Sequence, residues 1–135
     1  NGDSVFEFKD TKVSFVRLNH LIPDSYAIAI KTKEGTILHT GDFKIDFTPV
    51  GPMSNIHKMA EIGKKGVKLL LSDSTNALSS GFSKSESTVD EALGDLFAKV
   101  RSRIIIATFA SNIYRIKHIV ETCKKNNRNT CKTNT

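Results

Sequence analysis

Two side chains in this sequence are suited by type to bind a divalent metal ion. His20 and Asp42 each lie where an apolar, strand-like run gives way to a polar segment. A histidine nitrogen and an aspartate oxygen are common ligands of Zn²⁺ and Mn²⁺. They would meet only if the intervening turns return the chain to one edge of a sheet. Two ligands do not complete a site, because a catalytic zinc takes about three protein ligands plus water.

Each candidate residue also has a simpler structural interpretation. His20 fits an ordinary loop histidine, and Asp42 fits a turn carboxylate because it follows Gly41. Asp73 follows another apolar run and precedes Ser-Thr-Asn, where capping of a loop or helix is the simpler role. The remaining histidines are weaker candidates for metal ligation: His39 on a strand, and His57 and His118 as ordinary helix-surface residues.

Alternating apolar and polar residues predict the strands that would carry these side chains. The predicted strands cover residues 5–8, 13–18, 26–32, 37–40, 67–71 and 103–109. Polar segments at 9–12 and 33–36 predict hairpin turns. We expect strand 67–71 to be buried, and the nearly continuous apolar run of 103–109 is typical of a parallel sheet covered on both faces.

Helical periodicity predicts helices in three places. The first covers residues 56–63 and would end at Gly63. The second begins at Ser85 or Ser87 and continues to Val100, and the third is capped by the pair Ser111–Asn112. Because this helix–strand–helix half differs from the strand-rich first half, we predict a boundary near residues 80–86.

Composition limits the possible classes of protein. The 135 residues suffice for one modest domain, at 39% hydrophobic and 25% charged residues. The net charge of +6 favours phosphate-bearing partners. No apolar run is long enough to span a membrane, and no basic-then-apolar signal segment begins the chain, so we expect a cytoplasmic protein with no membrane partner. Cys123 and Cys131 are expected to be reduced thiols.

Two common motifs of catalysis are missing. The sequence contains no Gly-rich phosphate loop ending in Lys-Ser/Thr and no Gly-x-Ser-x-Gly nucleophile elbow.

Five segments taken together resemble one known family. They are NHLIPDS (19–25), HTGDFKID (39–46), LLLSDSTNA (69–77), GFSKSE (81–86) and IIIATFASNIYRI (104–116). Their order and spacing closely resemble the ribonuclease J family, bacterial proteins of the metallo-β-lactamase fold with a β-CASP domain. The resemblance covers about residue 5 to about residue 122.

This resemblance implies an enzyme that cleaves RNA, as a 5′-to-3′ exonuclease and an endonuclease, with two divalent metal ions. Zn²⁺ is the first expectation and Mn²⁺ the alternative. His20 would be a metal ligand, Asp42 would bridge both ions, and Asp73 would support a catalytic histidine further along the family's chain. Leu21 departs from the serine that many members carry after the histidine. Paired metal ions generate a hydroxide nucleophile and stabilise charge on phosphate oxygens.

The resemblance also implies an RNA-binding loop where strand 103–109 meets the following helix. Its candidate residues are Phe109, Ser111 and Asn112. Backbone N–H groups at the start of a helix favour phosphate. Phe109 could stack on a base, and an ordinary buried strand residue is an equal alternative.

The implied fold is α/β. Residues 1–84 would form the second half of a metallo-β-lactamase sheet and helix layer, and residues 85–122 the first βα units of a doubly wound β-CASP domain. Residues 123–135 would be a polar, disordered tail. The His-x-His-x-Asp-His motif, which supplies most of the family's metal ligands, is absent. We therefore expect the isolated chain to be inactive.

RNA is the expected partner, and self-association or pairing with a paralogous subunit is expected for the parent protein. Two alternatives remain open. The chain could be a non-catalytic remnant that binds RNA or a subunit, or a lactamase-fold hydrolase of a small substrate. The segments SDSTN and FASNIYRI belong to the nucleic-acid branch of the fold and count against the second alternative.

Overall fold

Strands dominate the first half of the protein and helices the second. The computed structural model describes residues 4–130. The elements within that range are β1 Val5–Phe8, β2 Thr11–Arg17, β3 Tyr26–Thr32, β4 Gly35–His39, α1 Ile56–Lys64, β5 Leu69–Leu71, α2 Glu86–Lys99 and α3 Ile113–Lys125. The expected α/β class is confirmed. None of these helices is long and apolar enough to cross a membrane.

The strands form one sheet in the order β1-β2-β3-β4-β5. The pairs from β1 to β4 are antiparallel, and β5 joins β4 in parallel. Both predicted hairpins are confirmed, since Phe8 pairs with Thr11 and Thr32 pairs with Gly35. Gly35 has a φ of +135°, a conformation that side chains disfavour, which explains a glycine at the second turn.

The core lies on one face of the sheet. Its buried residues are Val16, Leu18, Ala27, Ala29 and Leu38, with Phe43, Met59, Ile62 and Val67 packed against them. Helix α1 contributes Met59 and Ile62, so it covers this face on the way from β4 to β5. The opposite face carries edge-to-face aromatic pairs, with Phe15 between Phe6 at 6.0 Å and Tyr26 at 6.3 Å.

Capping residues define the helix ends. Asn55, Ser85 and Asn112 each accept a hydrogen bond from a backbone N–H of the first turn of α1, α2 and α3. The predicted stop at Gly63 was wrong, because α1 continues to Lys64. The glycine beyond it, Gly66, has the positive φ of +89° that commonly follows a helix.

Two predicted strands differ from the structure. Residues 103–109 form no strand, and Ile105 is 89% exposed. An apolar run becomes a strand only where a neighbour offers backbone partners, and no strand within residues 4–130 pairs with this segment. Strand β5 is shorter than predicted. It is the outermost strand of the sheet, so its leucines are exposed and not buried as expected.

The polar C-terminal segment begins later than the sequence suggested. Cys123, Lys124 and Lys125 are the last residues of α3, and Cys123 is a buried free thiol. The second cysteine, Cys131, and the end of the expected disordered tail lie outside the described residues.

Candidate active site

Three strands of the sheet end at one edge, and a candidate residue follows each of them. β2 and β4 both run antiparallel to β3, and β5 runs parallel to β4. The carboxyl ends of β2, β4 and β5 therefore share an edge, and His20, Asp42 and Asp73 come just after those ends. The turns thus return the chain to one edge, which the sequence alone left open.

Asn19 fixes the backbone next to His20. Its side chain is buried, and its Oδ1 accepts hydrogen bonds from the Ser54 N–H at 2.9 Å and the Ser54 hydroxyl at 2.8 Å. Its Nδ2 donates to the Pro52 carbonyl, and its own N–H donates to the Ser54 hydroxyl oxygen at 2.8 Å. Sequence reasoning missed Asn19, because an Asn before a loop histidine gives no sign of a distant partner.

The loop after β4 carries Asp42 and returns towards β2. Gly41 has a φ of +60°, which sharply turns the chain. The N–H of Lys44 then donates to the Asn19 carbonyl at 2.8 Å. Asp42 is exposed and lies between Gly41 and Lys44. The hydrogen bond from Lys44 connects its loop to Asn19, the neighbour of His20.

Asp73 is held in its ionised form by its own loop. Its Oδ1 accepts the Thr75 hydroxyl at 2.5 Å and the Thr75 N–H at 2.9 Å. These hydrogen bonds hold the pKa of Asp73 below its ordinary value, against a smaller opposing effect of desolvation. The Phe43 amide and the charge of His20 lower the pKa further. Asp73 is therefore an anion stabilised mainly by Thr75 of its own loop.

Asp46 joins this edge to the second half of the chain. Its buried carboxylate accepts hydrogen bonds from the Thr48 N–H and the Glu86 N–H, both at 3.0 Å. Burial alone would raise the pKa of Asp46. Hydrogen bonds from Glu86 and Ser85 outweigh that effect, with help from Thr48 and Lys44, and the pKa lies below its ordinary value. Asp46 thus supports the start of α2 as an anion.

Glu86 extends the connection to α3. It pairs with the Arg115 guanidinium at 2.6 Å and with the Lys44 ammonium at 3.3 Å. Burial raises the pKa of Glu86, but these two cations outweigh that effect and hold the pKa low. The Arg115 Nε is buried without a hydrogen-bond partner within the described range. Sequence reasoning missed this network, because its members are far apart in the chain.

A narrow cleft brings two sequence-predicted residues together. Its volume is about 20 Å³, room for about one water molecule. His20 and Asn112 both line it, from opposite halves of the chain. Gly51 closes one side against Tyr114, where an added Cβ would lie 2.7 Å from the ring and its hydroxyl. Asp42 and Asp73 are outside the cleft lining.

The candidate RNA-binding residues occupy the turn before α3. Asn112 is buried, and its Oδ1 accepts the Arg115 N–H at 3.0 Å. The Asn112 N–H donates to the Phe109 carbonyl at 3.0 Å. Ser111 is exposed and Phe109 is 79% exposed, so the interpretation of Phe109 as a buried strand residue was wrong.

The donor set at the sheet edge falls short of what a metal ion requires. Within residues 4–130, no group of three or more His, Cys, Asp and Glu side chains is arranged to hold a metal ion. The three candidates at the sheet edge thus do not form a complete site by themselves.

The other histidines have partners of their own. The His39 Nδ1 accepts a hydrogen bond of 3.0 Å from the Gly41 N–H, which occupies that nitrogen. His57 lies 3.3 Å from Glu61 on the exposed surface of α1. His118 lies 2.8 Å from Asp90, and both side chains are about three-quarters buried, so His118 joins α3 to α2 instead of facing solvent.

Comparison with known proteins yields curated relatives and a solved structure. Ribonuclease J from Helicobacter pylori is 48% identical over 117 residues, which cover 86% of this chain and 17% of that protein. Ribonuclease J 1 from Streptococcus pyogenes is 43% identical over 128 residues, covering 95% of this chain and 23% of that protein. Ribonuclease J from Mycoplasma pneumoniae is 39% identical over 128 residues, covering 95% and 22%. No family model matches the chain.

The solved structure is a protein of unknown function from Enterococcus faecalis V583. It superposes with a TM-score of 0.66 at 20% identity, covering 90% of this chain and 30% of that one, and shows a likeness of fold. The chain spans about a fifth of the length of the curated relatives it matches, from 17% to 23%. With identities of 39% to 48% over most of its length, this chain belongs to the ribonuclease J family.

Proposed function

We propose that this chain is part of a metal-dependent ribonuclease and supplies two of its metal ligands, His20 and Asp42. The observation that carries the proposal is the common edge formed by the ends of β2, β4 and β5. Polar residues at the ends of rigid strands are well placed for chemistry. In this proposal residues 4–84 belong to a metallo-β-lactamase fold, and α2 and α3 begin a β-CASP domain.

Each ligand would be held by a different part of the loop structure. Asn19 fixes the backbone beside His20 through Ser54 and Pro52. Gly41 and Lys44 fix the loop of Asp42 at its two sides. Bound divalent ions, Zn²⁺ or Mn²⁺, would generate a hydroxide nucleophile for phosphodiester hydrolysis, whether exonucleolytic or endonucleolytic. Asp73 would orient a catalytic histidine of the remainder of the enzyme.

The RNA would approach across the cleft shared by the two halves of the chain. The exposed ring of Phe109 is available for stacking on a base, beside the exposed side chain of Ser111. The net charge of +6 favours this partner. The incomplete donor set within residues 4–130 leads us to expect no RNA cleavage by the chain alone.

A segment exchange tests the proposal. The segment of the Helicobacter pylori ribonuclease J that aligns with this chain is replaced by the corresponding residues of the chain, and RNA hydrolysis is measured with Mn²⁺ and with Zn²⁺. We expect the hybrid to cleave RNA and Asp42→Asn to slow it by about a hundredfold or more, because metal ions contribute several kcal/mol to such reactions. The matched control is Asp10→Asn, an exposed carboxylate in the turn between β1 and β2, which should leave the rate unchanged.

Two results would contradict the proposal. One is a folded hybrid, verified by circular dichroism, that cleaves no RNA with either metal while the Helicobacter protein does. The other is an Asp42→Asn hybrid that cleaves RNA as fast as the unsubstituted hybrid.

A further inference from the structure

Thr40 is a buried polar residue between the ladder of β4 with β5 and the loop of Asp42. The residue is 6% exposed. Its hydroxyl accepts a hydrogen bond of 3.0 Å from the N–H of Asp73 and donates one of 2.7 Å to the carbonyl of Gly41. One hydroxyl therefore contacts the loops that carry both candidate carboxylates.

The position of Thr40 explains why this hydroxyl matters. The parallel pairing of β4 with β5 ends at His39 and Leu71, and the Thr40 N–H adds one more bond, 2.9 Å to the Leu71 carbonyl. Beyond that bond the two chains diverge into separate loops. The contact of the Thr40 hydroxyl with Asp73 joins the loops after the backbone ladder has ended. Because the hydroxyl is buried, water would replace this contact poorly.

The hydroxyl donates one of these hydrogen bonds and accepts the other, so it holds both loops at once. The donated bond holds the carbonyl of Gly41, the residue whose φ of +60° turns the chain towards Asp42. The accepted bond holds the backbone of Asp73. Because the single hydroxyl hydrogen is used by the Gly41 carbonyl, the oxygen lone pairs accept the Asp73 N–H, and one side-chain rotamer makes both bonds.

From this geometry we infer that Thr40 is a positioning residue, whose hydroxyl sets the spacing between Asp42 and Asp73. It touches no substrate and acts through these two carboxylates. The inference rests on the proposed function, in which the two residues serve one site. Thr40→Val removes the hydroxyl while keeping the branched shape, and Thr40→Ser keeps the hydroxyl while removing the methyl group.

The first experiment uses the full 135-residue chain and measures amide hydrogen exchange by NMR. We expect Thr40→Val to accelerate exchange of the Asp73 amide by about tenfold, since a buried hydrogen bond is lost. The amide of Ala29, in the middle of the sheet, reports any loss of global stability, so we expect its exchange to accelerate less than that of Asp73. Thr40→Ser should leave Asp73 protected. Equal protection of Asp73 in the Val variant and the unsubstituted chain would overturn the inference.

The second experiment measures RNA hydrolysis by the hybrid enzyme described above. We expect Thr40→Val to lower kcat about tenfold with KM for RNA within twofold, and Thr40→Ser to restore kcat. A stability defect alone would lower the amount of active enzyme, which active-site titration corrects. An unchanged corrected kcat would overturn the inference. Inactivity of the unsubstituted hybrid would instead reject the proposed function, and the exchange experiment would still decide whether Thr40 joins the two loops.

Discussion

Asp46 binds the backbone of Glu86 across 40 residues of sequence, with a hydrogen bond of 3.0 Å from the Glu86 N–H to Oδ2. Glu86 is the first residue of α2, so a carboxylate from the strand-rich half supports the start of a helix in the other half. An anion at a helix N-terminus is favourable because the first N–H groups have no partner within the helix. The halves are therefore joined by charge as well as by chain connectivity.

Replacing Asp46 with asparagine should destabilise the chain by about 2 kcal/mol, because charge-assisted hydrogen bonds to two backbone N–H groups are weakened. Urea denaturation followed by circular dichroism measures this change. Asp10→Asn, in the exposed turn between β1 and β2, is the matched control and should be neutral. Equal unfolding midpoints for the two variants would contradict the assigned role of Asp46.

The contribution of Asp46 to stability should depend on pH. Since its folded pKa is below the unfolded one, the contribution is complete above the unfolded pKa of about 3.9 and is lost as pH falls through the folded pKa. The difference in unfolding free energy between the unsubstituted chain and Asp46→Asn should therefore be constant from about pH 6 to pH 7 and decrease below about pH 4. A difference that increased as the pH fell would show that folding raises the pKa of Asp46 instead of lowering it.

Removal of the Asn19 amide should be more costly than removal of a helix cap. Asn19→Ala removes three hydrogen bonds made by a buried side chain, two with Ser54 and one with Pro52, at a cost of about 3 kcal/mol. Asn55→Ala removes the exposed cap of α1 and should cost about 1 kcal/mol. Thermal unfolding of both variants gives the comparison. A loss from Asn55→Ala that equals or exceeds the loss from Asn19→Ala would argue against a special role of Asn19.

Neutralising Glu86 should loosen the contact of α3 with the rest of the chain. Glu86→Gln leaves the Arg115 side chain, which is three-quarters buried, without its anionic partner, and it leaves Lys44 with only the longer contact to Asp46, at 3.8 Å. The expected loss is about 2 kcal/mol, since removing one member of a partly buried pair leaves uncompensated charge. Glu61→Gln on the surface of α1 should cost less than about 0.5 kcal/mol. Comparable unfolding free energies for the two variants would show that the network contributes nothing.

Local patterns predicted the elements that depend on local contacts. The hairpin turns, the cap at Ser85 and the positions of His20 and Asp42 after strands could all be read from neighbouring residues. These features need only alternation, turn residues and a polar cap near a helix start. The sequence could not show that the loop of Asp42 returns to Asn19, because that bond joins backbone atoms and leaves no trace in residue type.

The sequence predictions that failed all concern residues whose contacts lie far away along the chain. Residues 103–109 have the composition of a strand, but a strand requires a neighbour, and composition does not supply one. Asp46 was passed over because the N–H that it binds belongs to Glu86, far along the chain. His118 was expected on the surface because its partner Asp90 lies on another helix.

The direction of β3 determines how the loops that follow β2, β4 and β5 can change in sequence and length. β3 runs opposite to β2 and β4, so the ends of β2, β4 and β5 reach the edge through separate loops, each anchored to its own strand. Strand register is set by backbone pairs within the sheet, so exchanging one loop side chain leaves the registers intact, whereas changing the length of one loop breaks its bonds to the next loop. The three loops therefore tolerate substitution one residue at a time but have to change in length together.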